Sequence, residues 1–114
     1  MHRFQDKIAL VTGAAQGIGR RVAERLAQEG ARLVLVDRSE LVFELEAELS
    51  GNHQVLALTA DLEQYAECSR VMQAAVERFG RLDILINNVG GTIWAKPFEH
   101  YEAQQIEAEV RRSL

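Results

Sequence analysis

Four short runs of unbroken apolar residues, at 8–11, 33–36, 55–58 and 84–86, alternate with stretches in which apolar residues recur at helical spacing. A run that is apolar at every position reads as a strand buried on both faces. Between the runs, Ile18, Val22 and Leu26 line one stripe, Leu41, Leu45 and Leu49 a second, and Val71, Ala75, Val76 and Phe79 a third. Gly30, Gly51 and Gly80 each stand just past a helical stretch, where a left-handed C-cap is wanted, and Ser39 precedes its helix as an N-cap should.

The resulting order, βαβαβαβ, calls for a parallel sheet with right-handed crossovers and helices on both faces. This is an α/β fold of the Rossmann type, doubly wound, with about four strands. Sheets of this kind place ligands beyond the carboxyl ends of their strands. The turns at those ends, residues 12–19, 37–39, 61–62 and 87–91, are where a site is expected.

The first turn reads Thr12-Gly13-Ala14-Ala15-Gln16-Gly17-Ile18-Gly19. Gly13 permits a tight turn, Gly17 removes a side chain that would block a phosphate, and Gly19 lets helix and sheet pack closely. A diphosphate would then sit on the free N–H groups and the positive dipole end of the helix. A purely structural turn of small residues competes with this reading, and the surrounding motifs weigh against it. A P-loop is excluded, because no Gly-Lys-Ser/Thr follows at the required distance.

Asp37 ends the second strand about 20 residues further on, where a carboxylate accepts both ribose hydroxyls of an adenosine and repels a 2′-phosphate. With the neutral Gln16, it favours NAD over NADP. Arg38 reads as a solvated charge, with stacking on adenine or attraction of a phosphate as the alternative. Asp61 could accept from the adenine amino group with Leu62 beside the ring, or serve as the N-cap of a helix beginning near Glu63, or both. In Asn87-Asn88-Val89-Gly90-Gly91, one asparagine is expected to tie neighbouring strands through its amide, and the glycines leave room for a ribose.

Composition narrows the class further. A formal net charge of −4 argues against nucleic acid and anionic membrane as partners, since both need clustered Lys and Arg. Hydrophobic residues at 47% with a single proline fit a packed globular chain. The one cysteine, Cys68, falls on the apolar side of a helix, and no signal peptide or membrane-length run is seen, so a cytoplasmic protein is expected. His2, His53 and His100 are scattered without ligand spacing, so no metal site is expected. Glu44, Glu46 and Glu48 read as a solvated helix face.

Taken together, the glycine turn, Asp37, Asp61-Leu62 and Asn87-Asn88-Val89-Gly90 resemble the N-terminal half of the short-chain dehydrogenase/reductase family. The resemblance covers nearly the whole chain. It implies an NAD-dependent oxidoreductase with Thr12, Gly13, Gln16, Gly17, Ile18, Gly19, Asp37, Arg38, Asp61, Leu62, Asn88, Val89 and Gly90 as the cofactor-binding residues. It also implies a small-molecule substrate and a homo-oligomer. Residues 89–98 and 107–114 resemble members that oxidise a cis-dihydrodiol carboxylate to a catechol.

The chain departs from the family pattern at two places: Val89 replaces an alanine, and Ser113 stands where the family has an asparagine that organises a proton relay. The family's Ser and Tyr-x-x-x-Lys are absent, since Tyr65 is followed four residues later by Ser69 and Tyr101 by Gln105. At 114 residues the chain therefore reads as the N-terminal dinucleotide-binding portion, residues 1–114, of a single domain truncated at its C-terminus. An NAD-binding module without catalysis is the competing reading. Truncation would leave the fourth strand as an exposed apolar edge. The segment at 91–100 is expected to border a substrate pocket. Lys96, Arg111 or Arg112 would there meet a carboxylate, against the simpler reading of Lys96 as a solvated loop charge and Trp94 as a packing residue.

Overall fold

In a computed structural model that describes residues 3–89 and 92–97, the expected alternation is present. The elements are β1 (Ile8–Thr12), α1 (Gly17–Gln28), β2 (Arg32–Asp37), α2 (Val42–Leu49), β3 (Val55–Thr59), α3 (Tyr65–Phe79), β4 (Ile84–Val89) and β5 (Thr92–Pro97). One sheet runs β3-β2-β1-β4-β5. Its first four strands are parallel, with Leu10 opposite both Val34 and Leu85.

Alternation along the strands builds two cores. Ile8 and Leu10 of β1, Val34 and Val36 of β2, and Leu85 of β4 face α3, where they pack on Cys68, Val71, Met72 and Ala75. Ala9 and Val11, Leu33 and Leu35, and Ile86 face the other side, against Ala23, Leu26 and Ala27 of α1 and Val42 and Leu45 of α2. α1 and α2 carry the chain outward from β1 to β3 on one face. α3 returns it across the opposite face to β4, so the winding reverses between β1 and β4. Asp83 fastens that junction at the start of β4: its carboxylate accepts from the Ile8 N–H at 2.8 Å and its own N–H donates to the Ile8 carbonyl at 2.9 Å.

Several local expectations are corrected. Ile18 is 56% exposed and Leu41 is exposed, so neither belongs to a core stripe. The core face of α1 is instead made of Gly19, Ala23, Leu26 and Ala27, three small residues that let the helix lie close on the sheet and one large one, Leu26, that fills the core beside them. Gly80 is the left-handed cap of α3, and Gly30, also at positive φ, follows the cap of α1. Gly51 is not at positive φ; α2 ends on Ser50 in the right-handed region, with its N–H on the Glu46 carbonyl. Ser39 does not cap α2 directly. Its hydroxyl accepts from the Leu41 N–H at 3.1 Å in the turn before the helix begins.

The helix face carrying Glu44, Glu46 and Glu48 is not uniformly solvated. Glu46 accepts from the Ala57 N–H at 2.8 Å, covering a backbone donor on the outer strand β3, and Glu48 pairs with Arg20 of α1.

The largest correction is β5. The segment expected as a pocket-bordering loop contains a strand that pairs antiparallel with β4, from Ile84 opposite Pro97 to Val89 opposite Thr92. β4 is therefore not the sheet edge. Thr92, Ile93 and Trp94 are β-branched and aromatic, and two glycines stand between the two runs, a hairpin signal in the sequence.

Candidate functional site

The carboxyl ends of β1, β2, β3 and β4 meet at a cleft of about 290 Å³ lined by Thr12, Gly13, Asp37, Arg38, Asp61, Leu62 and Asn88, among others. Seven of the sequence-selected residues are thus brought to one place. Ala60 and Glu63 line it too, and Glu63 was missed. Its signal was its position, two residues past Asp61 in a turn already marked as a ligand edge.

Of the glycine turn, Thr12 and Gly13 line this cleft, whereas Gln16, Gly17, Ile18 and Gly19 are not part of its lining. Gly13 and Gly17 sit at φ +62° and +63°, a conformation that side-chain-bearing residues rarely adopt. A Cβ on Gly13 would come within 2.8 Å of Asn88 Nδ2, and one on Gly19 would overlap the Gly13 carbonyl oxygen. Among the described residues, the space in front of Gly17 is open, with nothing within 4 Å of a Cβ position. Gly13 and Gly19 are therefore required by packing within the protein, while Gly17 faces free volume. Gln16 is the N-cap residue of α1, exposed and making no side-chain cap bond. The N–H groups of the first turn of α1 lack intrahelical acceptors, as in any helix, and present a positive dipole end.

Beneath the turn, β1 and β4 are locked by a hydroxyl. The buried Thr12 Oγ1 donates to Asn87 Oδ1 at 2.8 Å and accepts from the Asn88 N–H at 3.0 Å. Asn88 Nδ2 reaches the Gly13 carbonyl at 3.4 Å. The expectation that one asparagine joins strands is met by both. Among the described residues, the amide nitrogen of Asn87 and the amide oxygen of Asn88 are buried without a hydrogen-bond partner.

The carboxylate of Asp37, at the last position of β2, accepts from two backbone donors: Ala15 N–H at 3.0 Å and Ser39 N–H at 2.9 Å. Arg38 beside it is exposed and forms no ion pair among the described residues. Asp61 accepts from the Glu63 N–H at 3.1 Å and from Gln64 Nε2 at 3.4 Å. It caps the turn that leads into α3, which begins at Tyr65, near Glu63 as expected. Leu62 is buried in the α3-side core while its surface lines the cleft.

Ile18 stands exposed at the mouth of the turn. Gly90, Arg111, Arg112 and Ser113 lie outside the described residues, and only the backbone of Val89, Trp94 and Lys96 is described, in β4 and β5. Among the described residues, no cluster of three metal-ligating side chains occurs and no helix is long and apolar enough to cross a membrane.

Residues 7–114 match the short chain dehydrogenase family, and the chain belongs to it. It is 78% identical over 112 residues to a 1,6-dihydroxycyclohexa-2,4-diene-1-carboxylate dehydrogenase of Pseudomonas putida, an alignment that takes in 98% of this chain and 42% of that protein. It is 50% identical to the enzyme of the same description in Acinetobacter baylyi, over 98% of this chain and 43% of that protein. A crystal structure of a short chain dehydrogenase/reductase from Burkholderia phymatum in complex with NAD matches 75% of this chain and 31% of that one. The match has a TM-score of 0.70 and 33% identity. The chain thus spans less than half the length of the curated relatives it matches. The family expected from the motifs is the one found.

Proposed function

We propose that this chain holds NAD as the N-terminal dinucleotide-binding portion of a dehydrogenase that oxidises a cis-dihydrodiol carboxylate to a catechol. The observation that carries the cofactor reading is the strand-end carboxylate of Asp37 bonded to the glycine turn at the Ala15 N–H, two residues before the start of α1 at Gly17, where the space is open among the described residues. Asp37 would accept the adenosine ribose hydroxyls, and the first-turn N–H groups of α1 would hold the diphosphate. Thr12, Gly13, Asp61, Leu62 and Asn88 would form the walls of the adenosine half, with Arg38 and Gln16 at its rim and Ile18, Val89 and Gly90 towards the nicotinamide. Bound NAD would supply the hydride acceptor. The substrate class rests on the two relatives' described activity and on the resemblance at residues 89–98 and 107–114.

In that reaction, loss of hydride and a proton from the diol gives a β-keto acid, which releases carbon dioxide as the ring becomes aromatic. The tyrosine that the family resemblance assigns as proton acceptor has no counterpart within residues 1–114. A cytoplasmic location and assembly as a homo-oligomer belong to the same proposal.

The test is calorimetric titration of the protein at its full natural length, followed by turnover. NAD is expected to bind at least tenfold more tightly than NADP, a difference of about 1.4 kcal/mol. The dienediol carboxylate is expected to yield catechol, carbon dioxide and reduced cofactor in equal amounts. Equal or reversed cofactor preference overturns the role of Asp37. Binding of NAD without turnover of any diol favours a non-catalytic NAD-binding module.

A further inference from the structure

Asp37 sits where three turns converge. Its backbone carbonyl accepts from the Ala60 N–H at 3.0 Å, at the end of β3. One carboxylate oxygen holds the Ser39 N–H in the turn after β2, and the other holds the Ala15 N–H at the midpoint of the glycine turn. The neighbouring Ala14 N–H donates to the Val36 carbonyl at 3.2 Å. Both alanine donors of the turn are thus drawn towards the end of β2, and both alanine side chains are buried.

This matters because the turn is bounded by two residues at positive φ, Gly13 and Gly17. Glycine at both ends leaves the backbone between them with more accessible conformations than any other residue type would. Something outside the turn must select one of them. A hydrogen bond to an ionised acceptor is the strong kind, roughly twice a neutral one. Asp37 supplies it to Ala15.

We infer that Asp37 is a positioning residue for the glycine turn in addition to a reader of ribose, so that recognition of the adenosine sugar and formation of the diphosphate cradle are coupled through one carboxylate. The inference rests on the NAD reading for its ligand, and on the Ala15–Asp37 hydrogen bond for its mechanism. It separates two groups of donors along the turn. The N–H groups of Ala14 and Ala15 are committed to β2, and those at the start of α1 remain for a ligand. Removing the carboxylate frees the Ala15 donor and loosens the segment that aims the rest.

The coupling can be isolated with a ligand that Asp37 cannot read. Wild-type protein and Asp37→Ala, both at full natural length, are titrated with NAD and with an NAD analogue lacking both hydroxyls of the adenosine ribose. A carboxylate that only reads the sugar leaves the analogue's affinity unchanged in the variant. The coupled role predicts that Asp37→Ala binds the analogue about tenfold more weakly than wild type does, the size expected for one charge-assisted hydrogen bond. Amide hydrogen exchange supplies a readout free of any ligand: the Ala15 N–H should exchange faster in the variant while Leu35, in the middle of β2, stays protected. Should the alanine variant fail to fold, Asp37→Asn, which keeps one acceptor oxygen, is measured in the same cycle with a smaller loss expected. Unchanged or tighter binding of the analogue together with unchanged Ala15 exchange overturns the inference. If wild type binds no NAD, the functional reading fails, and Ala15 exchange still decides whether the tie exists.

Discussion

The two ends of the parallel sheet both carry a cleft, and the two are of similar size, about 340 Å³ at the amino end and about 290 Å³ at the carboxyl end. They differ in what their polar groups are already doing. At the amino end, Asp6 pairs with Arg32 at 3.4 Å, Asp83 pairs with Arg81 at 3.0 Å, and Glu29 is held by Arg3 and Arg25. Gln5 fills the space that a side chain on Gly30 would need. At the carboxyl end, the space before Gly17 is open, Arg38 has no ion-pair partner among the described residues, and Ile18 is 56% exposed. Volume does not mark the site. Unused binding capacity does, and it is concentrated where parallel strands end and helices begin.

The sharpest way to break this contrast is to place the same methyl group at different glycines. Gly19→Ala is expected to cost the most, about 3 kcal/mol of stability, because its Cβ would overlap the Gly13 carbonyl and no flexible side chain can give way. Denaturant unfolding measures it; a loss of under half that size would show that the turn and α1 can separate. Next comes Thr12→Val, which keeps the shape and removes the hydroxyl. It leaves Asn87 Oδ1 and the Asn88 N–H without their shared partner, at a cost of about 2 kcal/mol. An unchanged midpoint would mean that the lock between β1 and β4 contributes nothing.

Those two positions also show how far the sequence could be read. The placement of strands and helices and the sheet edge carrying the site follow from period and turn residues, because burial on both faces of a strand leaves a direct mark on composition; the order of the strands does not, and comes with the family resemblance. The membership of Thr12, Asp37, Asp61 and Asn88 in one cleft is legible for the same reason: each stands at or within two residues of the carboxyl end of a strand. What was not legible was which partner each polar group takes. Asp37 was read towards a ribose, and its bond to Ala15 could not be foreseen, since a backbone donor leaves no trace in residue identity. The spacing of Ile18 fits a core stripe, but in the first turn of α1 it is Gly19 that packs on the glycine turn, and Ile18 points away from that contact, exposed among the described residues. The antiparallel β5 is not legible in the same way, because a glycine pair such as Gly90-Gly91 reads equally well as space for a ligand and as a hairpin turn.

Gly17→Ala and Gly30→Ala form the sharpening pair. Both residues sit at positive φ, so each alanine is expected to cost about 1 kcal/mol of stability through backbone strain, with a further cost at Gly30 from the contact with Gln5. Their effects on ligand affinity should part. The methyl at Gly17 points into the open space of the proposed diphosphate site, and NAD affinity is expected to fall at least tenfold. The methyl at Gly30 meets Gln5 at the opposite end of the sheet and should leave that affinity as it is. Equal effects on NAD binding would erase the distinction between the two ends.

The smallest expected effect tests whether the amino end is held by charge. The Glu29 carboxylate is nearly buried and lies below the ordinary carboxylate value of 4.5. The foremost cause is the Arg3 backbone N–H, with the guanidinium groups of Arg3 and Arg25 adding to it and burial working the other way. A carboxylate whose value is lowered by folding stabilises the fold above its unfolded value, and that contribution is lost as pH falls through the lowered one. Glu29→Gln should therefore lower the melting temperature at neutral pH, and the gap to wild type should close as the pH drops below about 4.5. It should also narrow in high salt, since Arg3 and Arg25 are solvent-exposed partners. A gap that stays constant from neutral to acid pH would mean that the glutamate acts through shape alone, and the amino end would then differ from the carboxyl end in packing and not in the pairing of its charges.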